Sequence, residues 1–306
     1  MNIRLSVISI TTNEPITEIL AFSFSKDAYT PYTTLNIEFI AGKVAAQDAK
    51  TAWLYLDGVL VHRGYIDTIK IREINGIKHG YITSRGFTSQ YMQNQLATGL
   101  YTNINLNMIM DNYRTIPYVT HERGYETSYI YVKPGSTLWD GILNISFKLY
   151  GKHPYVRGDN HIMINRSPSA KTFTYDRSTL LSEGGERDSR EVIYYWSMED
   201  LDGTHGNYVL TDIDAWNANL MRSRYFELDR RFLYDPQKAL EFRDKMAMRG
   251  WRNRFITYLG YRGEDLFDSA VIGDETKDIT SVKIVGSSKG IITQVGFYID
   301  KFVNNT

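Results

Sequence analysis

The sequence contains no cysteine, which excludes disulfide frameworks, thiolate zinc sites and cysteine nucleophiles. Only 7 residues are proline whereas 23 are tyrosine, a balance that favours strands and interfaces over linkers. No run approaches the roughly 18 apolar residues of a membrane span. The first segment, MNIRLSVISITTNEP, alternates polar and apolar residues, which predicts a strand and not a signal peptide. Synthesis and folding in a cytoplasm are therefore expected.

An excess of charge is also missing, because 35 Lys and Arg residues balance 35 Asp and Glu residues. Proteins that bind nucleic acid through its phosphates normally carry a basic excess. A net charge of zero argues against a general nucleic-acid binder, and it provides no long-range steering of a charged partner.

The motifs of common enzyme classes are absent as well: the sequence has no HExxH, GxSxG, GxxxxGK[ST] or GxGxxG pattern. The six histidines are scattered, and we expect them at the surface or in turns. His153 and His161 flank one predicted hairpin, but a zinc site there would need a third ligand. We predict no catalytic residue, no metal site and no cofactor.

Two acidic segments resemble parts of known sites. Residues 182–191, SEGGERDSRE, hold paired carboxylates of the kind that glycoside hydrolases use, yet their glycines and arginines indicate a solvated loop. Residues 200–203, DLDG, resemble the start of a calcium loop whose later ligands are missing, so we expect a turn.

What the sequence does contain is mostly the period-two alternation of antiparallel strands. Residues 1–92 hold six such runs, and the dipeptides Asp57-Gly58 and Asn75-Gly76 predict tight hairpins. Residues 93–170 change to a mixed pattern. Its predicted elements are a helix at 104–113, a strand at 129–133, a helix at 136–150 and a hairpin at 154–165.

Residues 171–306 return to strands, with one helix at 236–248 that Asp235 caps and Gly250 follows. The predicted fold class is α+β, mainly β. It consists of two small antiparallel β-barrel domains, at 1–92 and 171–306, with an α+β domain at 93–170 between them, since closed barrels remove exposed strand edges.

The segment YVKPGSTLWDGI, residues 131–142, resembles the first strand and helix of a LysM module, which grips peptidoglycan. That module has two consecutive helices between its strands, whereas here a hairpin follows the single helix. Two interpretations stay open. Trp139 belongs to a hydrophobic core, which we favour, or Ser136 and Trp139 contact a cell-wall glycan.

The order of the three regions resembles the hub proteins of phage baseplates and related contractile injection machines, the VgrG-like or late-control-D-like proteins. The resemblance covers most of the chain. Its first barrel usually carries a G-x-[IV]-D and an R-G-[FY]-[ST] pattern, similar to Gly64-Tyr65-Ile66-Asp67 and Arg85-Gly86-Phe87-Thr88. The GSTLWDGI corner, the PYVRGDNHIMIN hairpin and the final QVGFYI strand resemble the family's later regions.

This resemblance implies a structural protein and not an enzyme. It implies a homotrimer that joins the tail tube to the tip or spike protein of the same particle and adapts six-fold to three-fold symmetry. Assembly is expected in the host bacterial cytoplasm, and the final location is the baseplate of a virion or of a released particle such as a bacteriocin. Nothing follows the second barrel, so the tip is expected to be another chain. The alternative is a peptidoglycan-binding module or cell-wall hydrolase associated with a phage tail.

A basic and aromatic segment near residue 225 is the predicted subunit interface, because Arg and Tyr are enriched at such contacts. The candidate interface residues are Arg222, Arg224, Tyr225, Arg230 and Arg231.

Overall fold

The computed structural model describes residues 3–8, 13–16, 18–41, 49–113, 115–124, 128–166, 170–232 and 235–303. In residues 1–86 the regular elements among the described residues are strands, as the alternation predicts, and helical turns begin at Phe87. These strands are β1 (Ile3–Ile8), β2 (Asn13–Ile16), β3 (Ile19–Asp27), β4 (Thr34–Ile40), β5 (Thr51–Leu56), β6 (Val59–Ile74) and β7 (Ile77–Gly86). Residues 9–12 of the predicted N-terminal strand lie outside the described residues.

The middle region combines short sheets with one long helix. Its strands are β8 (Gly99–Ile104), β9 (Thr120–His121), β10 (Ser128–Val132), β11 (Tyr155–Arg157) and β12 (His161–Met163). Its helices are α1 (Gln90–Gln93) and α2 (Leu138–Tyr150), with a 3₁₀ turn at Phe87–Ser89 and a π-helical turn at Met108–Tyr113.

The last region returns to strands and contains two helices. Its strands are β13 (Thr172–Tyr175), β14 (Ser182–Arg187), β15 (Tyr195–Met198), β16 (Tyr208–Thr211), β17 (Ser223–Phe226), β18 (Arg252–Leu259), β19 (Ser269–Ile272), β20 (Glu275–Asp278), β21 (Ser281–Ser287) and β22 (Gly290–Tyr298). Its helices are α3 (Ile213–Asn217) and α4 (Pro236–Met248), with 3₁₀ turns at Arg177–Thr179 and Arg230–Phe232.

Strands from both ends of the chain form one sheet of 11 strands, in the order β14-β18-β22-β21-β3-β4-β7-β6-β5-β1-β2. The two β regions meet where β21 pairs antiparallel with β3, in the register Val285↔Ser23. The mainly β, α+β class is therefore confirmed. The two closed barrels are not confirmed, because among the described residues this strand order has two open ends.

Alternation along the strands decides which face of the large sheet is buried. In β3 and β4, Phe22, Phe24, Leu35, Ile37 and Phe39 point into the core, each with at most 4% of its surface exposed. The same core takes side chains from β21 and β22. One continuous core therefore joins the N-terminal and C-terminal strands, since a period of two sends alternate residues to the same face.

Local signals place several elements where the sequence predicts them. The hairpin turns Asp57-Gly58 and Asn75-Gly76 have positive φ at all four residues, as a type I′ turn requires. Helix α4 begins at Pro236 after the Asp235 cap, which accepts a hydrogen bond from the Lys238 amide.

Helix α2 has a complete capping box. The Thr137 hydroxyl accepts from the Asp140 amide at 3.1 Å, and the Asp140 carboxylate accepts from the Thr137 amide at 2.8 Å. Gly151 ends the helix in the left-handed conformation, at φ 64°. Thr137 is thus the N-cap of α2.

One sequence prediction is shifted and one is wrong. The helix predicted at 104–113 is present from residue 106, where α-helical residues 106–107 lead into the π-helical turn Met108–Tyr113, whereas Ile104 ends β8. The predicted loop at 182–191 contains β14, an edge strand that pairs with β18 from Ser182↔Thr257 to Arg187↔Arg252. Its backbone partners override the loop-like composition. No helix within the described part of the chain is long and apolar enough to cross a membrane.

Candidate functional site

The turn between β11 and β12 is held by both β regions at once. Lys26 of β3 donates to the Gly158 carbonyl oxygen at 2.7 Å and to Asp265 at 2.6 Å. The other oxygen of Asp265 accepts from the Gly158 amide at 2.7 Å. Lys26 is 7% exposed, so this charge is buried with its partners in place. We call this turn, Gly158–Asn160, and the groups that hold it the central joint.

A second buried ion pair completes the central joint. The Arg157 guanidinium donates to Asp268 at 2.5 Å and to the Leu266 carbonyl oxygen at 3.1 Å. Asp268 is fully buried and also accepts from the backbone amides of Lys171 and Asp265. Buried ions are tolerated only when they are paired and hydrogen-bonded in this way. The joint therefore locks the middle region against the last one.

The two glycine motifs of the first region lie side by side on β6 and β7. Arg85 donates to both carboxylate oxygens of Asp67, at 2.7 and 2.8 Å. A Cβ atom at Gly64 would lie 2.1 Å from the Arg85 carbonyl oxygen, so only glycine fits there. Close approach of the two backbones explains the glycine of the first motif.

Asn160 of the central joint reaches these motifs. Its amide nitrogen donates to the Arg63 carbonyl oxygen at 2.9 Å, and its oxygen accepts from the Thr88 amide at 3.4 Å. A Cβ atom at Gly86 would lie 2.9 Å from that same Asn160 oxygen. The motifs that support the family resemblance therefore build the contact between the large sheet and the middle region.

His62 lies beneath this contact and is fully buried, which contradicts the prediction of surface or turn histidines. Its ring nitrogens contact the hydroxyls of Thr33 at 2.8 Å and Ser84 at 2.9 Å. Burial, with the Lys26 charge nearby, lowers the pKa of His62 to about 3. The ring is therefore neutral at physiological pH. His153, which is 7% exposed, is a second exception to the prediction.

The outer face of the large sheet carries a row of uncharged side chains across the seam between the two β regions. Cross-strand pairing aligns Leu259, Ile292, Val285, Ser23 and Asn36 in this order. Leu259, Ile292 and Val285 are 68%, 42% and 43% exposed. A shallow depression of about 390 Å³ lies beside them, over β3, β4 and β7. Flat, apolar and uncharged surfaces of this kind suit contact with another protein better than catalysis.

The structure separates the residues of the predicted interface. Arg222 donates to the carbonyl oxygens of Arg190 and Val192, both at 3.2 Å, and so braces its own chain. Arg224 and Tyr225 are adjacent on β17 and point to opposite faces of its sheet, because strand residues alternate.

The other residues of the predicted interface differ in how far their side chains are exposed to solvent. Tyr225 is 61% exposed and its ring lies 5.3 Å from that of His205. Arg230 is exposed, whereas Arg231 lies half-buried, 4.7 Å over the Phe242 ring. Sequence reasoning could have separated Arg224 from Tyr225, since neighbours in any strand face opposite ways.

Arg224 and Arg231 line a groove beside α4 that sequence reasoning missed. It measures about 280 Å³, and we call it the α4 groove. Its walls include the apolar side chains of Ile193, Trp196 and Phe226 and the guanidinium groups of Arg224, Arg231 and Arg243.

A buried carboxylate, Asp229, holds two of these guanidinium groups. Arg243 pairs with it at 2.7 Å and Arg231 at 3.9 Å, and Lys133 lies at 3.2 Å. Burial alone would raise the pKa of Asp229, but the charges of Arg231, Lys133 and Arg243 and a backbone hydrogen bond lower it overall. Asp229 is therefore ionised, and the groove stays rich in positive charge.

The peptidoglycan candidates lie in different surroundings. Trp139 is 4% exposed and packs in the core of the middle region with Ile142, Leu138 and Ile130. Ser136 is half-buried and its amide donates to the Lys133 carbonyl oxygen at 3.1 Å. The Trp139 ring thus presents almost no surface on which a sugar could stack.

The remaining candidate sites are structural. Asp200 accepts from the amides of Asp202 and Thr204, each at 3.0 Å, which makes the predicted turn of residues 200–203 a hydrogen-bonded one. The ring of His161 contacts the Thr120 hydroxyl at 2.8 Å. Within the described ranges, no group of three acidic or imidazole side chains could hold a metal ion.

These observations define the class: a mainly β scaffold whose distinctive features are buried ionic joints between distant segments of the chain. No protein family model and no curated protein sequence matches the chain. Solved structures do share the fold. The tail protein from Neisseria meningitidis MC58 has a TM-score of 0.70 at 13% identity, over 99% of this chain and 98% of that chain.

Two further structures extend the comparison. The 43 kDa tail protein of prophage MuSo2 from Shewanella oneidensis has a TM-score of 0.75 at 12% identity, over 99% of this chain and 100% of that chain. A component of the E. coli type VI secretion system has a TM-score of 0.54 at 8% identity, over 99% of this chain and 79% of that chain. That component is itself structurally similar to the T4 bacteriophage tail proteins gp27 and gp5. The resemblance to the baseplate hub family is thereby confirmed at the level of the fold.

Proposed function

We propose that this chain is a structural hub protein of a phage tail or of a phage-like contractile particle, such as a bacteriocin, and not an enzyme. The observation that carries the proposal is the match of the whole fold to tail proteins, over 99% of this chain and 98–100% of theirs. A rigid sheet with buried ionic joints suits a part that transmits position and force, because closely packed interiors deform little.

In this proposal three copies surround an axis, and each contributes the two β regions 1–92 and 171–306 with the domain 93–170 beside them. Six similar units would then face a six-fold tail tube, while the assembly as a whole presents three-fold symmetry to a tip or spike protein. Cyclic assemblies of this kind use heterologous contacts, in which different surfaces of neighbouring copies meet. The chain would assemble in the host cytoplasm and function in the virion baseplate.

The test is the shape and mass of the purified protein. Light scattering should give the mass of three chains at micromolar concentration, and electron microscopy should show a three-fold ring with a central channel. A protein that stays monomeric at every concentration, or a compact particle without a channel, would contradict the proposal. A Trp216→Ala variant, at a side chain 48% exposed on the short helix α3, serves as a handling control and should assemble like the parent.

A further inference from the structure

Three arginines and one acidic residue, Glu191, line the α4 groove, so its lining carries a net positive charge. Arg231 and Arg243 share the single carboxylate of Asp229. Arg224, on β17, has one described hydrogen bond from its guanidinium, to the Ser223 carbonyl oxygen at 3.1 Å, and its side chain is exposed. The Nε atom of Arg243 is buried and bonds to none of the described residues. Such donors favour a carboxylate-bearing ligand, since guanidinium and carboxylate groups match in geometry.

The floor of the α4 groove is apolar. Ile193 and Trp196, 3% and 4% exposed, lie beneath it, and the Phe226 ring stacks on Trp196 with 5.6 Å between the ring centroids. The accessible apolar surface comes from the half-buried side chains of Phe226, Met246 and Ala247. A ligand that fits both features carries an acidic group beside an aliphatic side chain, because the acid would meet the guanidinium groups while the aliphatic chain covers the floor.

The chain itself displays such a group on the turn that follows β15. Leu201 is 87% exposed, the highest value among the large apolar side chains of the described residues, and Asp202 beside it is exposed. Hydrogen bonds within the turn hold its conformation. Asp200 accepts from the amides of Asp202 and Thr204 and from the Thr204 hydroxyl at 2.8 Å. A locked turn loses little conformational freedom on binding.

The turn does not line the groove of its own chain. It leaves the end of β15 and packs through His205 against Tyr225, which is on the opposite face of the β15–β17 pair from Arg224. Turn and groove are therefore two different surfaces with complementary charge and complementary apolar character. A contact between them is heterologous, and it closes a ring when the rotation that relates neighbouring copies is a whole fraction of a turn.

We propose that the Asp200–Gly203 turn of one copy docks in the α4 groove of the next copy, with Leu201 on the apolar floor and Asp202 against Arg224. This inference rests on the proposed cyclic hub and names the contact that builds it. It also assigns different roles to the predicted interface residues: Arg224 binds the neighbouring copy, whereas Arg222 and Arg231 stabilise their own chain.

Charge reversal tests the contact directly. Asp202→Arg and Arg224→Glu should each weaken self-association by roughly tenfold or more, because attraction becomes repulsion at a partly desolvated contact. The double variant Asp202→Arg/Arg224→Glu restores an opposite pair and should recover most of the association. Sedimentation velocity over a dilution series measures all three. Leu201→Ala should also weaken association without unfolding the chain, since this side chain packs on almost nothing within one copy.

Matched controls use exposed charges outside both surfaces. Arg230→Glu and Asp274→Arg reverse the same charges and should leave association unchanged. Unchanged association in both single variants, or no recovery in the double variant, would overturn the inference. If these variants still form the same ring as the parent, only this contact is wrong and the proposed hub stands. If the parent chain forms no ring, both fail together.

Discussion

The central joint and the α4 groove both place basic side chains beside buried carboxylates. The joint holds distant segments of one chain together, whereas we propose that the groove binds a neighbouring copy. In the joint, Lys26 and Arg157 each meet a carboxylate within 2.6 Å, and further hydrogen bonds satisfy those carboxylates. In the groove, Arg231 and Arg243 share the Asp229 carboxylate, and among the described residues the Arg224 guanidinium donates to one backbone carbonyl oxygen, that of Ser223. The difference teaches that the balance of charge around an arginine, and not its presence, separates an internal joint from a surface that can bind.

Removal of the Asp268 carboxylate from the central joint should produce the largest loss of stability. Asp268→Ala leaves Arg157 buried without its partner, so the free energy of unfolding should fall by about 3–5 kcal/mol. Urea denaturation followed by tryptophan fluorescence measures it. Asp202→Ala is the control at an exposed acid and should change stability by less than about 0.5 kcal/mol. Equal losses of stability for the two variants would mean that the buried ion pair of Asp268 contributes no more than an exposed acidic side chain.

Acid should lower the free energy of unfolding through His62, which is buried beneath the contact between the large sheet and the middle region. The folded pKa of His62, about 3, lies below its ordinary value of 6.5, so the unfolded chain binds more protons between these values. Stability from this residue is complete above pH 6.5 and falls as the pH drops towards 3, at roughly 1.4 kcal/mol per pH unit.

The pH dependence of urea midpoints between pH 7 and 5 measures this slope. His62→Gln should flatten it, because glutamine cannot take up the proton. His205→Gln, at an exposed position, is the matched control for the substitution itself. The same slope in all three proteins would exclude His62 as its source.

Within the α4 groove, Arg243 should contribute more than Arg224 to the free energy of unfolding. Arg243→Ala removes an ion pair with buried Asp229 and a contact 4.0 Å from the Phe226 ring, so a loss of roughly 1.5–2 kcal/mol is expected. Arg224→Ala removes neither and should change stability by less than about 0.5 kcal/mol. Thermal unfolding of the dilute protein compares them. A larger loss of stability for Arg224→Ala than for Arg243→Ala would mean that Arg224, and not Arg243, stabilises its own chain.

Local structure could be predicted from particular residues. Asp57-Gly58 and Asn75-Gly76 determine two hairpins, because few other residues adopt positive φ without strain. Asp235 and Pro236 determine the start of α4 in the same way. Each of these signals lies within a few residues of the feature that it predicts, and no distant contact overrides it.

The α4 groove and the central joint could not be predicted, because their parts come from distant segments. Lys26 and Asp265 are 239 residues apart in the chain, and Asn160 meets Arg63 across 97 residues. Composition marked residues 182–191 as a loop, yet backbone pairing with β18 makes Ser182–Arg187 a strand. Long-range pairing of this kind leaves no local pattern to detect.

By itself the sequence determined the strand alternation, the tight turns and the Asp235 cap of α4, since these depend on local backbone preferences and on a period of two. Only the tertiary structure decided that β3 pairs with β21 in a single sheet, that His62 is buried and neutral, and that Arg224 is left facing solvent while Arg157 is not. The physical reason is that burial and charge pairing depend on which distant groups arrive at the same place.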